Sequence, residues 1–162
     1  RHGSSGAGLR ISVLEFRVFF LSGLFPVATE AMPTDAPGQA FLKTKEGEAG
    51  VQKLPSGLMY KVLETGSGKT PGINTPCDCH YAGQLINGQE FDSSYKRGKP
   101  LTFAPSQVIP GWTEAMQLMK EGDKWELYIP SELGYGAEGT PGGPIPPNAA
   151  LVFQMQLLKV KG

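Results

Sequence analysis

The sequence is short of net charge, cysteine, histidine and long apolar runs, and each shortage removes a class of function. Lys+Arg and Asp+Glu number 15 each, and without a basic excess nucleic acid is not an expected partner. The two cysteines, Cys77 and Cys79, have no second pair to complete the roughly four Cys/His ligands of a structural zinc site. Spaced two apart in an expected strand, they share one face and read as buried core thiols, with His80 turned to the other face. They define no disulfide framework and leave the redox compartment open. The histidines are His2 and His80 alone. No Gly-x-Ser-x-Gly elbow and no His-Glu-x-x-His helix is present, so triad hydrolase and zinc protease chemistry have no support. The acids are scattered beside lysines, and no carboxylate pair for glycoside chemistry stands out. Thr65-Gly-Ser-Gly-Lys-Thr70 approaches a phosphate-binding loop, but Leu63 stands where its first glycine belongs and Pro71-Gly72 replaces the following helix. It reads as a β-turn.

No apolar run is long enough to cross a bilayer. The uncharged stretch Val18–Thr29 covers about 12 residues, against the ~20 a spanning helix needs. With Arg10 and Arg17 ahead of it, it fits the apolar part of a signal peptide. The basic, serine-containing opening with no acid before Glu15 fits an organelle transit sequence equally well. A docking arm is the third reading. The chain opens on Arg1, as a processed or partial chain would. We expect an N-terminal extension over 1–37, containing the apolar segment 11–28 and a Pro-containing linker from Met32 to Gln39. A short helical lead-in over 38–53 and a main domain over 54–162 follow.

What is present is glycine (22) and proline (14), concentrated after residue 50, in a chain long enough for one sizeable core. Alternation predicts strands at Leu58–Glu64, Thr75–Ile86, Gln89–Asp92, Leu101–Phe103, Lys124–Ile129 and Leu151–Val160. Asn87-Gly88 marks a hairpin turn, and Ser93–Pro100 reads as loop or bulge. In the fifth strand Trp125, Leu127 and Ile129 point inward, with Lys124, Glu126 and Tyr128 outward. The one clear helix is Gly111–Gly122, with Trp112, Ala115, Met116 and Met119 on one face. A helix with one buried stripe has to lie on a sheet. The expected class is therefore α+β, a curved antiparallel sheet of five to six strands wrapped around one short helix. The Gly/Pro-rich loop Ser131–Asn148 is long for a compact domain and reads as functional.

Between Tyr81 and Phe153, large apolar residues recur beside turns: Tyr81-Ala-Gly, Phe91-Asp92-Ser-Ser, Val108-Ile109-Pro-Gly-Trp112, Tyr135-Gly-Ala, Ile145-Pro-Pro and Leu151-Val-Phe153. Each alone is an ordinary core or turn residue. Together they describe an apolar, proline-sized pocket with a few polar groups and no nucleophile.

On these motifs the stretch Leu54–Lys161 resembles the FKBP-type peptidyl-prolyl cis-trans isomerases, the macrolide-binding rotamases, and is similar to their macrophage infectivity potentiator type. The resemblance implies Trp112 as pocket floor and Tyr81, Phe91 and Phe153 as aromatic walls. Val108 and Ile109 would form the strip whose Ile109 N–H bonds a ligand carbonyl, Asp92 the polar wall, Tyr135 a ligand-binding hydroxyl and Ile145 the apolar flap residue. Leu101 stands where many members carry Phe and Gln107 where many carry an acid. Thr140 replaces a His that some carry, and Gly143 lengthens the flap slightly. The implied partners are prolyl peptides, unfolded protein clients and macrolides of the tacrolimus or rapamycin type, with no cofactor or metal. The competing reading is a scaffold or assembly subunit docked into a larger complex through residues 1–53.

Overall fold

The computed structural model describes residues 34–162. The expected apolar segment at 11–28 and the first part of the linker lie outside the described residues. From Ala36 the expected linker is already helix. Asp35 caps α1 (Ala36–Glu46) by accepting the N–H of Gly38 at 2.8 Å, with proline in the first turn. Here Pro37 starts a helix rather than breaking one, because the first-turn N–H it lacks has no intrahelical partner in any case.

Seven strands follow: β1 (Val51–Lys53), β2 (Met59–Glu64), β3 (Cys77–Leu85), β4 (Glu90–Ser93), β5 (Leu101–Phe103), β6 (Lys124–Ile129) and β7 (Leu151–Val160). They form one antiparallel sheet in the order β1-β2-β6-β7-β3-β4, with β5 also on β3. The strand beyond the predicted six is β1, a three-residue edge paired to β2 through Gln52 and Tyr60. At the other edge β3 is shared, for β5 pairs with Cys77–Cys79 and β4 with Ala82–Gln84. Between them the chain leaves the sheet as α2 (Ser94–Arg97), where a loop was expected, capped by Ser93 and closed by Gly98 at φ 82°.

The Asn87-Gly88 hairpin forms, but only Gly88 takes positive φ (91°). Gly88 N–H donates to Leu85 C=O and Leu85 N–H to Gln89 C=O. This is a three-residue loop closed by a glycine bulge, which needs one left-handed position instead of two.

α3 (Pro110–Met116) crosses the inner face of the sheet. It ends earlier than the predicted Gly122, but the predicted face holds: Trp112, Ala115, Met116 and Met119 are all buried. Gly111 lets it approach closely, since a Cβ there would lie 3.0 Å from Ile129 Cγ2. Inward residues of β3, β6 and β7 complete this core, including the free thiols Cys77 and Cys79. Burial pushes both thiols above their ordinary pKa. His80 lies on the opposite face, with Nδ1 2.8 Å from Ser94 Oγ and its ring stacked on Tyr95.

Tyr128 corrects the alternation reading. It points away from the main core yet is 1% exposed, because Phe41 and Leu42 of α1 cover it together with Met59 and Val152. The sheet therefore has two buried faces along β2–β6–β7, and the second belongs to α1.

Candidate active site

The split edge of β3 opens a cavity of about 460 Å³ lined by Tyr81, Phe91, Asp92, Leu101, Phe103, Gln107, Val108, Ile109, Trp112, Tyr135 and Phe153. Trp112, placed by the first turn of α3, is a buried member of this lining. The indole meets Tyr81 and Phe153 edge-on, each at 5.0 Å between centroids, and Phe103 at 5.3 Å. Phe91 meets Phe153 edge-on at 5.6 Å. These are favoured aromatic geometries, so the walls brace one another. Gly83 makes the contact possible: a Cβ there would sit 2.4 Å from Phe153 Cε1 and 2.8 Å from Phe91 Cζ.

One wall is polar. Tyr81 Oη donates to Asp92 Oδ2 at 2.6 Å. Arg97, from α2, donates one guanidinium nitrogen to Asp92 Oδ1 and another to Tyr81 Oη at 2.8 Å, with its head 5.6 Å from the centre of the Tyr81 ring. Burial alone would raise the carboxyl pKa of Asp92, but the Tyr81 hydroxyl and the Arg97 guanidinium outweigh it and hold the group below the ordinary value. Tyr81 is pushed up, first by burial and then by its bond to the carboxylate. Asp92 is therefore a fixed anion and no reservoir of protons near neutral pH.

Val108 and Ile109, in the strip leading into α3, line the cavity. The C=O of Ile109 accepts from both Trp112 and Thr113, while its N–H makes no backbone bond among the described residues. Gln107 turns back and accepts the N–H of Ala104 at 2.8 Å, so its amide oxygen is already engaged. Tyr135 stands at the rim, 40% exposed, its hydroxyl raised in pKa by burial and by the charge of Asp92.

The structure thus brings together ten of the eleven candidates named from sequence. Ile145 is the exception: it is 4% exposed, belongs to the main core beneath the loop, and does not line the cavity. Two residues were missed. Phe103 had an apolar strand signal but nothing marking it as pocket. Arg97 lies in a segment read as loop, and nothing in the sequence marks Ser94–Arg97 as the helical turn that aims it at Asp92 on β4. Among the described residues no group of three His, Cys, Asp or Glu side chains is placed to hold a metal.

An antiparallel sheet curved over one short helix, with an aromatic cavity whose lining holds no Ser, Cys or Lys, has the form of a domain that binds small apolar groups. Residues 67–158 match the family model of the FKBP-type peptidyl-prolyl cis-trans isomerases, and residues 27–62 match the domain amino-terminal to that isomerase. The chain belongs to the FKBP-type peptidyl-prolyl cis-trans isomerase family. It is 48% identical over 132 residues to the outer membrane protein MIP of Legionella longbeachae, covering 82% of this chain and 56% of that one. It is 50% identical over 125 residues to the macrophage infectivity potentiator of Trypanosoma cruzi, covering 76% and 63%. The crystal structure of FkpA from Escherichia coli superposes with a TM-score of 0.74 at 40% identity, covering 96% of this chain and 71% of that one. The chain spans 56% and 63% of the lengths of the two curated relatives.

Proposed function

We propose that this chain accelerates rotation about X–Pro bonds in peptides and folding proteins, and that the Trp112 cavity is where it does so. The observation that carries this is the mutually braced aromatic box of Tyr81, Phe91, Trp112 and Phe153, with an Ile109 N–H in the same lining that has no backbone partner among the described residues. A planar X–Pro amide is held by resonance behind a barrier of ~18–20 kcal/mol. Twisting it removes the resonance and with it much of the charge separation. An apolar box stabilises the twisted amide relative to the planar one, and each ~1.4 kcal/mol of that preference is tenfold in rate. No covalent bond is made or broken and no proton moves. In this reading Trp112, Phe91 and Phe153 hold the prolyl ring. Ile109 N–H and Tyr135 Oη orient the flanking carbonyls, and Asp92 fixes Tyr81. Ile145 supports the loop from below.

Val108 and Leu101 line the same cavity, which suits a macrolide of the tacrolimus or rapamycin type as a competitive ligand. Residues 54–162 are the catalytic domain of this proposal. Residues 38–53 form a lead-in that belongs to the fold, because α1 uses Phe41 and Leu42 to cover the sheet. That use speaks against the scaffold reading, in which the same helix would face a partner. A compartment beyond a membrane agrees with the apolar Val18–Thr29 stretch and with the name of the Legionella relative. Action on unfolded clients would extend the peptide activity to whole chains. The decisive experiment is a protease-coupled assay with a prolyl tetrapeptide. Acceleration over the uncatalysed rate, abolished by rapamycin, is the expected result, and no acceleration would overturn the proposal.

A further inference from the structure

The β6–β7 loop that carries Tyr135 is held from outside, by the residues just ahead of α1. Thr34 is 3% exposed and Ser131 fully buried. Thr34 Oγ1 accepts the N–H of Ser131 at 2.9 Å and donates to Glu132 Oε1 at 3.1 Å, while the Thr34 N–H reaches Glu132 Oε2 at 3.3 Å. That secures the first end of the loop. One residue on, Asp35 N–H donates to the C=O of Asn148 at 2.8 Å and secures the other end. The two ends are joined inside the loop, where Asn148 N–H donates to Gly136 C=O at 2.8 Å and Gly136 N–H to Ser131 C=O at 2.9 Å.

The result is a closed circuit: Thr34, Ser131, Gly136, Asn148, Asp35 and back to Thr34 through the peptide bond. Tyr135 is covalently next to Gly136 on that circuit. Asn148 takes φ 58°, the one positive φ of a non-glycine among the described residues. Asparagine is one of the few non-glycine residues that adopts this conformation readily. Close packing locks the strap in place. Gly38 lies so near that a Cβ there would be 2.5 Å from Thr34 Cγ2 and 3.2 Å from the Ala150 Cβ.

We propose that Thr34 is a positioning residue for the active site, and that the strap Thr34–Asp35 sets where the Tyr135 hydroxyl stands. It never touches substrate. The proposal deepens the isomerase reading and rests on it for its kinetic consequence, while its structural part is measurable without activity.

The test uses the full chain and Thr34→Val, which keeps the shape and removes the hydroxyl. The buried Ser131 N–H is left unpaired, and the loss of one such bond predicts a rise in KM for a prolyl tetrapeptide of about five-fold with a smaller change in kcat. Thr34→Ser should restore the wild-type KM. In combination with Tyr135→Phe the effects should be non-additive, because both act through one hydroxyl. Gly38→Val, which displaces the strap with the hydroxyl intact, is the second route to the same outcome should Thr34→Val fold poorly. Amide hydrogen exchange supplies the independent arm. Gly136 and Asn148 should exchange about ten-fold faster in Thr34→Val while β3 amides stay unchanged. Unchanged KM with unchanged exchange, or strictly additive effects with Tyr135→Phe, overturns the proposal. An inactive wild-type protein whose Gly136 exchange still responds to Thr34→Val overturns the isomerase reading and leaves the strap standing.

Discussion

Tyr81 Oη and Asp92 Oδ2 stand 2.6 Å apart, and Arg97 bonds both. Through this relationship the polar wall of the cavity becomes a stability device with a defined pH range. Asp92 has its folded-state pKa depressed, so the stabilisation is complete above the unfolded carboxylate value and is lost as pH falls through the folded one. We therefore expect the thermal midpoint of the wild-type protein to fall below about pH 4. Asp92→Asn should lower the midpoint at neutral pH and flatten that part of the profile. Parallel profiles for the two proteins would show that Asp92 is not the group involved.

Ser94 holds the same wall from behind. Its buried Oγ accepts the N–H of Tyr81 at 2.7 Å and lies within 2.8 Å of His80 Nδ1. Ser94→Ala leaves a buried N–H without a partner, which costs about 1–3 kcal/mol. Denaturant unfolding should show that loss as a lower midpoint with an unchanged slope.

Much of this was legible from side-chain period. β2, β3, β6 and β7 lie within two residues of their predicted ends, because β3, β6 and most of β7 place every second residue on the main core, as Cys77, Cys79 and Tyr81, Trp125, Leu127 and Ile129, and Leu151, Phe153, Met155 and Leu157 do. The failures have two causes: a deciding partner distant in sequence, or a short irregular turn whose course the residue types do not reveal. Tyr128 was read as outward because nothing local reveals that Phe41, some 87 positions earlier in the chain, covers it. Ile145 matched a flap position by order along the chain, but whether a loop residue faces the cavity or the core depends on how the loop folds back. Arg97 became visible only when Ser94–Arg97 closed into a helical turn that aims it at Asp92. Pocket walls built from regular strands are readable, whereas groups recruited by short irregular turns are not.

Gly83 tests the packing of the walls. Its missing Cβ is the space in which Phe91 and Phe153 meet. Gly83→Ala forces both rings aside, and overpacking of this kind destabilises by about 1–3 kcal/mol. The larger effect should fall on catalysis, since both displaced rings line the cavity. Isomerase activity that survives while stability drops would mean that the prolyl ring does not rest on that pair.

Cys77 and Cys79 should be inert in the native state. Both are fully buried, and burial holds both as thiols rather than thiolates. An excess of an aromatic disulfide reagent at pH 8 should release no colour within minutes, and guanidinium should then expose two thiols per chain. Rapid native labelling would require local opening of the β3–β5 edge.

Trp112 offers the sharpest separation of structure from chemistry. Its indole ring is packed by Tyr81, Phe103 and Phe153, yet its buried Nε1 has no partner among the described residues. Trp112→Ala removes the floor and should cost about 3–5 kcal/mol, a typical loss for a buried aromatic. Trp112→Phe keeps an aromatic floor and strips only the outer ring and the N–H. Because that N–H satisfies nothing inside the protein, removing it strands no acceptor, and stability should stay within about 1.5 kcal/mol of wild type. If the floor acts only by apolar contact with the prolyl ring, Trp112→Phe should also keep kcat/KM within about ten-fold. A loss far beyond that, at nearly unchanged stability, would mean that the free N–H is the donor to a substrate carbonyl. The orienting role assigned to Ile109 and Tyr135 would then have to be shared with Trp112.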